Sequence, residues 1–270
     1  TTETAQLVAN TRPYDEGNGI SQVVVLDGKV FFDARDEFGS AKHLYVHDPS
    51  DGSTQRLQDG EGEQVNAPSN LTIFNGQLFF SADFGGAGQE PGRYDPATDQ
   101  VELLADLNPA GSSSPGSFVE ANGQLWFTAD DGQSDSRLWR YDPATETAEN
   151  ILYNSPGGVF PSLNSLAFFD GRLFARGFLQ GQGEELRIYD IATNSLLDIP
   201  ELYSGPASSS PIGFTVFDGK LYFTARTPAE GREIRVYDPA TETIGLLADL
   251  NPDGNANPGD MYPLDGKLYF

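Results

Sequence analysis

Short apolar runs rich in aromatic and β-branched residues alternate with turn residues along the whole chain. Within residues 211–257 the order is "FTVF", the pair Asp218-Gly219, "KLYFTA", "RTPAEG", "REIRVY", "DPATET" and "IGLLADL". The apolar spacing inside these runs is that of strands, and no stretch carries the period of an amphipathic helix. Asp-Gly suits a two-residue hairpin whose central positions take positive φ. The proline of "DPAT" presets a turn and is barred from a central ladder. Four short antiparallel strands, a to d, are therefore predicted here, joined by a tight a-to-b turn, a b-to-c loop and a "DPAT" c-to-d turn.

The same order recurs. The segments "LDGKVFFDA", "FNGQLFFSA", "ANGQLWFTA", "FDGRLFARG", "FDGKLYFTA" and "LDGKLYF" place glycines at Gly28, Gly76, Gly123, Gly171, Gly219 and Gly266, with successive gaps of 48, 47, 48, 48 and 47. A second ladder, "VHDPS", "RYDPAT", "RYDPAT", "IYDIAT" and "VYDPAT", places Asp48, Asp95, Asp142, Asp190 and Asp238 at gaps of 47, 47, 48 and 48. Four strands in a repeat of this length describe one blade of a β-propeller. The units run 21–67, 68–114, 115–160, 161–210 and 211–257 within one predicted propeller domain spanning 1–270.

The two ends read as halves of one further unit. "TTETAQLVAN" resembles "ATETIGLLAD" at 240–249, a strand d, while 258–270 supplies strands a and b. A composite blade of 258–270 with 1–12 removes exposed sheet edges, which template aggregation. Five complete units and one composite predict six blades, with five as the alternative. "TTETAQLVAN" does not read as a signal peptide.

Composition changes this picture in one respect. With 40 acidic and 16 basic residues the formal charge is −24, which repels phosphates and anionic headgroups. Nucleic acid and membrane insertion are therefore not expected, and no apolar run approaches the roughly 18 residues of a membrane helix. The lysines are Lys29, Lys42, Lys220 and Lys267; an acid-rich, lysine-poor chain suits either high salt or ordinary acidic secretion. Screening separates the two, because the Debye length falls from about 10 Å at 0.1 M to about 3 Å at 1 M. In the halophile-like case the melting temperature rises between low and molar sodium chloride, and a flat or falling curve leaves ordinary acidity. There is no cysteine, so neither disulfide nor thiol chemistry is available.

The segments "SRLWRYDPAT", "REIRVYDPAT" and "LLADLNPAGSSSPGSFVEANGQLWFTADDG" resemble the ELWxxDGT repeats of large bacterial extracellular and surface proteins. The likeness covers nearly the whole chain but departs at the name-giving motif, where "YDPAT" stands in place of "DGT". It implies a propeller and a secreted or cell-surface setting, and it carries over no catalytic residue.

Catalytic constellations are thin. His43 and His47 are the two histidines; on a strand they lie about 13 Å apart at about 3.3 Å per residue, too far for one zinc. The neighbours Glu184-Glu185 and Asp130-Asp131 resemble acid/base pairs, but adjacent strand residues point to opposite faces. A calcium-dependent propeller hydrolase, phytase- or glycosidase-like, is the rival to a non-catalytic binding module for a glycan or protein. Phytase-type chemistry needs basic residues around phosphate, whereas Arg140, Arg187 and Arg235 are scattered through strands.

A ligand is expected at the loops that vary. The b-to-c loops, "ARDEFGSAK", "ADFGGAGQEPG", "ADDGQSDSR", "RGFLQGQGEE" and "ARTPAEGRE", share little, while the "DG" and "DPAT" turns hardly change. Variable loops on a rigid scaffold carry recognition, and Asp83, Asp130, Asp131, Asp135, Glu184 and Glu230 are the candidate binding residues. Calcium is the one cofactor the sequence suggests. In "DLNPDGNANPGD" at 249–260, Asp249, Asn251, Asp253 and Asp260 approach the D-x-[DN]-x-[DN]-G-x5-E loop, with aspartate at its last position.

Overall fold

The computed structural model describes residues 19–35, 41–60, 62, 65–133, 136–151, 162–179, 181–197, 199 and 201–270. The described chain is all-β apart from one short 3-10 turn at Gly85–Ala87, and it holds no helix long and apolar enough to cross a membrane.

The strands fall into the predicted a-b-c-d order. The first repeat gives β1 (Val23–Leu26), β2 (Lys29–Arg35), β3 (Lys42–Asp48) and β4 (Ser53–Arg56). The second gives β5 (Asn66–Phe74), β6 (Gln77–Asp83), β7 (Gln89–Asp95) and β8 (Gln100–Leu103), and the pair His43↔Asn66 links it to the first. Separate four-stranded antiparallel sheets follow. The third holds β9 (Gly116–Ala121), β10 (Gln124–Ala129), β11 (Arg137–Asp142) and β12 (Thr147–Asn150), and the fourth β13 (Ser162–Phe169), β14 (Arg172–Leu179), β15 (Gly183–Asp190) and β16 (Ser195–Leu196). The fifth holds β17 (Ile212–Phe217), β18 (Lys220–Thr227), β19 (Gly231–Asp238) and β20 (Thr243–Ala248). A two-stranded sheet, β21 (Tyr262–Leu264) with β22 (Lys267–Tyr269), ends the chain. The expected partner of that hairpin, residues 1–12, lies outside the described residues.

The turn chemistry accounts for this order. Each a-to-b hairpin has positive φ at both central residues, from Asp27 (49°) and Gly28 (77°) to Asp265 (48°) and Gly266 (70°), the primed turn that matches strand twist. In the "DPAT" turns the aspartate caps the chain two residues on: Asp95 Oδ1 accepts from Ala97 N at 2.8 Å, Asp142 from Ala144 N at 2.8 Å and Asp238 from Ala240 N at 3.0 Å.

The chain divides into two compact units. One comprises Thr1–Phe118, Ala129–Ser134 and Tyr141–Ala148, the other Val119–Thr128, Asp135–Arg140 and Glu149–Phe270. The first unit packs Phe31, Leu44, Val46, Leu78, Phe80 and Tyr94 around one centre. In the second, Trp126 packs with Leu138, Leu173 and Tyr189, and Phe174, Ile188, Leu221, Phe223 and Tyr237 form a further cluster. The b strands are buried on both faces, as at Leu78–Ala82. Phe127 and Phe223 are accordingly wholly buried core residues, not exposed platforms for sugar.

Candidate functional site

The c strands carry a device at their entry. In the second, fourth and fifth repeats they are entered through Gly-x-Glu: Gly88 and Glu90, Gly183 and Glu185, Gly231 and Glu233. The three glutamates are fully buried, and each turns its carboxylate onto backbone N–H groups of the following d-to-a loop. Glu90 accepts from Leu107 N at 3.0 Å, Ser113 N at 2.7 Å and Ser113 Oγ at 2.5 Å. Glu185 accepts from Leu202 N at 3.0 Å, Ser209 N at 2.9 Å and Ser209 Oγ at 2.8 Å. Glu233 accepts from Leu250 N at 3.1 Å and Ala256 N at 3.0 Å. Burial pushes the Glu90 carboxyl above its ordinary range despite the donors from Ser113 and Leu107.

The glycines bring the same loops close. All three have positive φ, and a Cβ would meet Ser112 Oγ at Gly88, the Ala207 carbonyl at Gly183 and the Gly254 carbonyl at Gly231. The three d-to-a loops are thus held against the b-to-c end of their sheets by one kind of contact, through backbone N–H groups in all three and, at Ser113 and Ser209 of the two "SSSP" segments, through the hydroxyl as well. The repeated spacing of glycine, one residue and glutamate is present in the sequence; within the b-to-c loops it looks like variation, because the ladder breaks where His43 and Arg137 stand at the glutamate position.

Of the predicted binding residues, Asp83, Asp130, Asp131, Glu184 and Glu230 lie at the b-to-c end of their own sheets. Asp83 Oδ1 accepts from Gly85 N at 2.9 Å, Asp130 Oδ1 from Gly132 N at 2.7 Å and Asp131 Oδ1 from Gln133 N at 3.0 Å, so these three shape their own loops. Asp135 lies outside the described residues. Glu184 and Glu185 part to opposite faces: Glu184 Oε2 accepts from Ser210 Oγ at 3.0 Å, with Oε1 3.8 Å from Arg176 Nε. Glu230 is committed to Thr227 Oγ1 and, at 2.9 Å, to the buried Arg235 guanidinium. These two donors hold its carboxyl below the usual range.

In the 249–260 loop, Asp249 and Asp253 are exposed. Asn251 Nδ2 donates to the Asn255 carbonyl at 3.0 Å, and Asp260 accepts from the Tyr262 hydroxyl at 3.3 Å. Among the described residues no three His, Cys, Asp or Glu side chains gather closely enough to hold a metal ion. His43 and His47 are buried members of β3, with His47 Nδ1 2.9 Å from Thr54 Oγ1.

A second polar centre lies in the first sheet. Asp33, 1% exposed, accepts from Ser21 N (2.8 Å), Ser21 Oγ (2.6 Å), Gln22 N (2.7 Å) and Lys42 Nζ (2.5 Å). Burial raises its pKa, but Lys42, Ser21 and Gln22 outweigh it and leave the carboxyl below its ordinary 3.8. A depressed carboxyl stabilises the fold above its unfolded value, and that contribution vanishes as pH falls through the folded value. Asp33→Asn is therefore expected to lower the melting temperature at pH 7, and the gap between variant and parent closes in acid below 3.8. Melting curves across pH check this; a gap independent of pH contradicts it.

The second unit also holds a cavity of about 530 Å³ lined by Arg172, Ile188, Leu197, Ile199, Tyr237 and Glu242. Arg172 and Glu242 pair within it, Nη2 lying 2.5 Å from the carboxylate, which holds the guanidinium above its ordinary pKa, and Glu201 also lines it. Its apolar wall continues the core around Ile188 and Tyr237.

No protein-family model matches the chain, and no curated protein matches it. Solved structures do. Puromycin hydrolase, as a mutant complexed with PGG, superposes with a TM-score of 0.58 at 18% identity, over 92% of this chain and 41% of that one. A second puromycin hydrolase structure gives 0.56 at 18% identity, over 96% and 43%. The chain thus spans under half the length of these relatives. The likeness is one of fold: the neighbours are propeller-type proteins, matched here by repeated four-stranded antiparallel sheets.

Proposed function

We propose that the chain is a non-catalytic binding module, secreted or on the cell surface, that recognises a glycan or protein through its d-to-a and b-to-c loops. One observation carries the reading: three buried glutamates fix the d-to-a loops at the b-to-c end of their sheets, and in all three they do so through backbone N–H groups. A contact that reads backbone leaves the loop side chains open to diversify, while their positions stay set by the core. That is the division between scaffold and recognition surface found in binding folds. The proposal includes six blades, the last closed by 258–270 with 1–12; β21 and β22, joined by the sixth hairpin turn, Asp265-Gly266, supply its a and b strands.

The two ends of each sheet are expected to respond differently to substitution. Asp83→Ala and Asp130→Ala should weaken a captured ligand on a glycan and surface-protein array while leaving the fold in place. Asp238→Ala removes the partner of Ala240 N and of Lys220. It should leave ligand binding unchanged and lower the melting temperature slightly. Equal ligand loss from both ends in folded variants overturns the reading, as does calcium-dependent turnover in a broad hydrolase screen.

A further inference from the structure

In a chain of net charge −24, the loop end of the second unit gathers three arginines. Arg226 and Arg232 are direct cross-strand partners on β18 and β19, a placement that sets like charges against each other. Both are fixed there. Arg232 donates from Nη1 to the Ser210 carbonyl at 3.0 Å and from Nη2 to that of Ser209 at 3.4 Å. Arg226 donates its backbone N–H to the same Ser209 carbonyl at 2.9 Å, and its guanidinium lies 5.4 Å from the Tyr203 ring centroid. Arg176 joins through shared contacts: Glu184 lies 3.8 Å from its Nε and accepts from Ser210 Oγ.

Among the described residues neither Arg226 nor Arg232 forms an ion pair, although the chain has 40 acids to offer. Burial, with Arg226 and Arg176 nearby, draws Arg232 below its ordinary pKa. The first sheet shows what balance looks like at these positions. Its basic partners Arg35 and Lys42 are likewise opposite each other, but there Asp33 accepts from Lys42 at 2.5 Å. In the fifth sheet Thr224 holds the place of Asp33. The basic pair is kept and the internal acid is missing.

We infer that this locus receives the carboxylate of an acidic sugar, a uronate residue within a short oligosaccharide. The inference rests on the rim-binding reading and names its ligand class. Guanidinium forks match a carboxylate in two-point geometry, and carbonyls and an aromatic face already hold these two in place. The half-exposed ring of Phe178 stands opposite Glu184 in register and gives a pyranose an apolar face. The surrounding charge sets the size: a long polyanion is repelled by the rest of the surface, whereas a short ligand meets mainly the arginines.

The test titrates the full chain with trigalacturonate, neutral galactotriose and triglutamate, by calorimetry. Saturable binding of trigalacturonate alone is expected, weakened at least about tenfold by Arg226→Gln, a loss of about 1.4 kcal/mol. Arg226 is exposed, so this variant should keep the parent melting temperature; Arg232→Gln is the second variant, and its fold is checked the same way. Absence of trigalacturonate binding, equal binding of galactotriose, equal binding of triglutamate, or an unaffected Arg226→Gln variant each overturns the assignment. If a neutral glycan binds, Phe178→Ala abolishes it and Arg226→Gln does not, the carboxylate assignment fails while the rim reading stands.

Discussion

Glu185→Ala is expected to cost about 3–5 kcal/mol, the sum of several buried donors left without their charged acceptor. For a chain of this size that is a fall in melting temperature of about 6–20 °C. Glu185 is 1% exposed and accepts from Leu202 N, Ser209 N and Ser209 Oγ. Truncation leaves those donors buried without acceptors, and each unsatisfied donor costs about 1–3 kcal/mol. Its neighbour supplies the control. Glu184 has a side chain 35% exposed, and the cation it faces, Arg176, stands 3.8 Å away, so Glu184→Ala should change stability by less than about 1 kcal/mol. Denaturant unfolding of the two variants decides it; similar losses from both would remove the loop-pinning role of Glu185.

That contrast also shows where the sequence was informative. Strand alternation separates Glu184 from Glu185, and the structure sends one outward to Ser210 and the other inward to the 202–209 backbone. The repeat ladders, the hairpin turns and the buried aromatic b strands follow from local rules: glycine at positive φ, aspartate capping the chain two residues on, aromatic and β-branched runs between turn residues. The pinning of the loops depends instead on backbone N–H groups at 107, 113, 202, 209, 250 and 256. Every residue but proline carries that group, so the side-chain trace at the receiving end is slight: the "SSSP" of 112–115 and 208–211, whose second serine also donates its hydroxyl. The arginine locus was hidden for another reason. Arg176, Arg226 and Arg232 sit on different strands of two repeats, and the strong net acidity draws attention to carboxylates. Only the pairing of β18 with β19 places Arg226 opposite Arg232.

The glycine of the Gly-x-Glu device can be tested independently of its charge. Gly231 has φ of +74°, and a Cβ there would stand 2.5 Å from the Gly254 carbonyl and 2.9 Å from Asn255 Oδ1. Left-handed backbone costs an alanine about 1–2 kcal/mol. The carbonyl belongs to a loop that Glu233 holds at Leu250 and Ala256, so it cannot recede without loosening that contact. Gly231→Ala is therefore expected to lose about 2–4 kcal/mol, strain and steric conflict together. Two other glycines of the same sheet isolate the two contributions. Gly219 has φ of +69°, and a Cβ added there would meet nothing within 4 Å, so Gly219→Ala reports backbone strain alone. Gly245 lies outside the left-handed region, again with nothing within 4 Å, and Gly245→Ala should be neutral or slightly stabilising, since alanine narrows the unfolded ensemble. The expected order of urea midpoints is Gly245→Ala highest, then Gly219→Ala, then Gly231→Ala. If Gly231→Ala unfolds no earlier than Gly219→Ala, the 249–260 loop is not seated against β19 and the glycine serves the turn only.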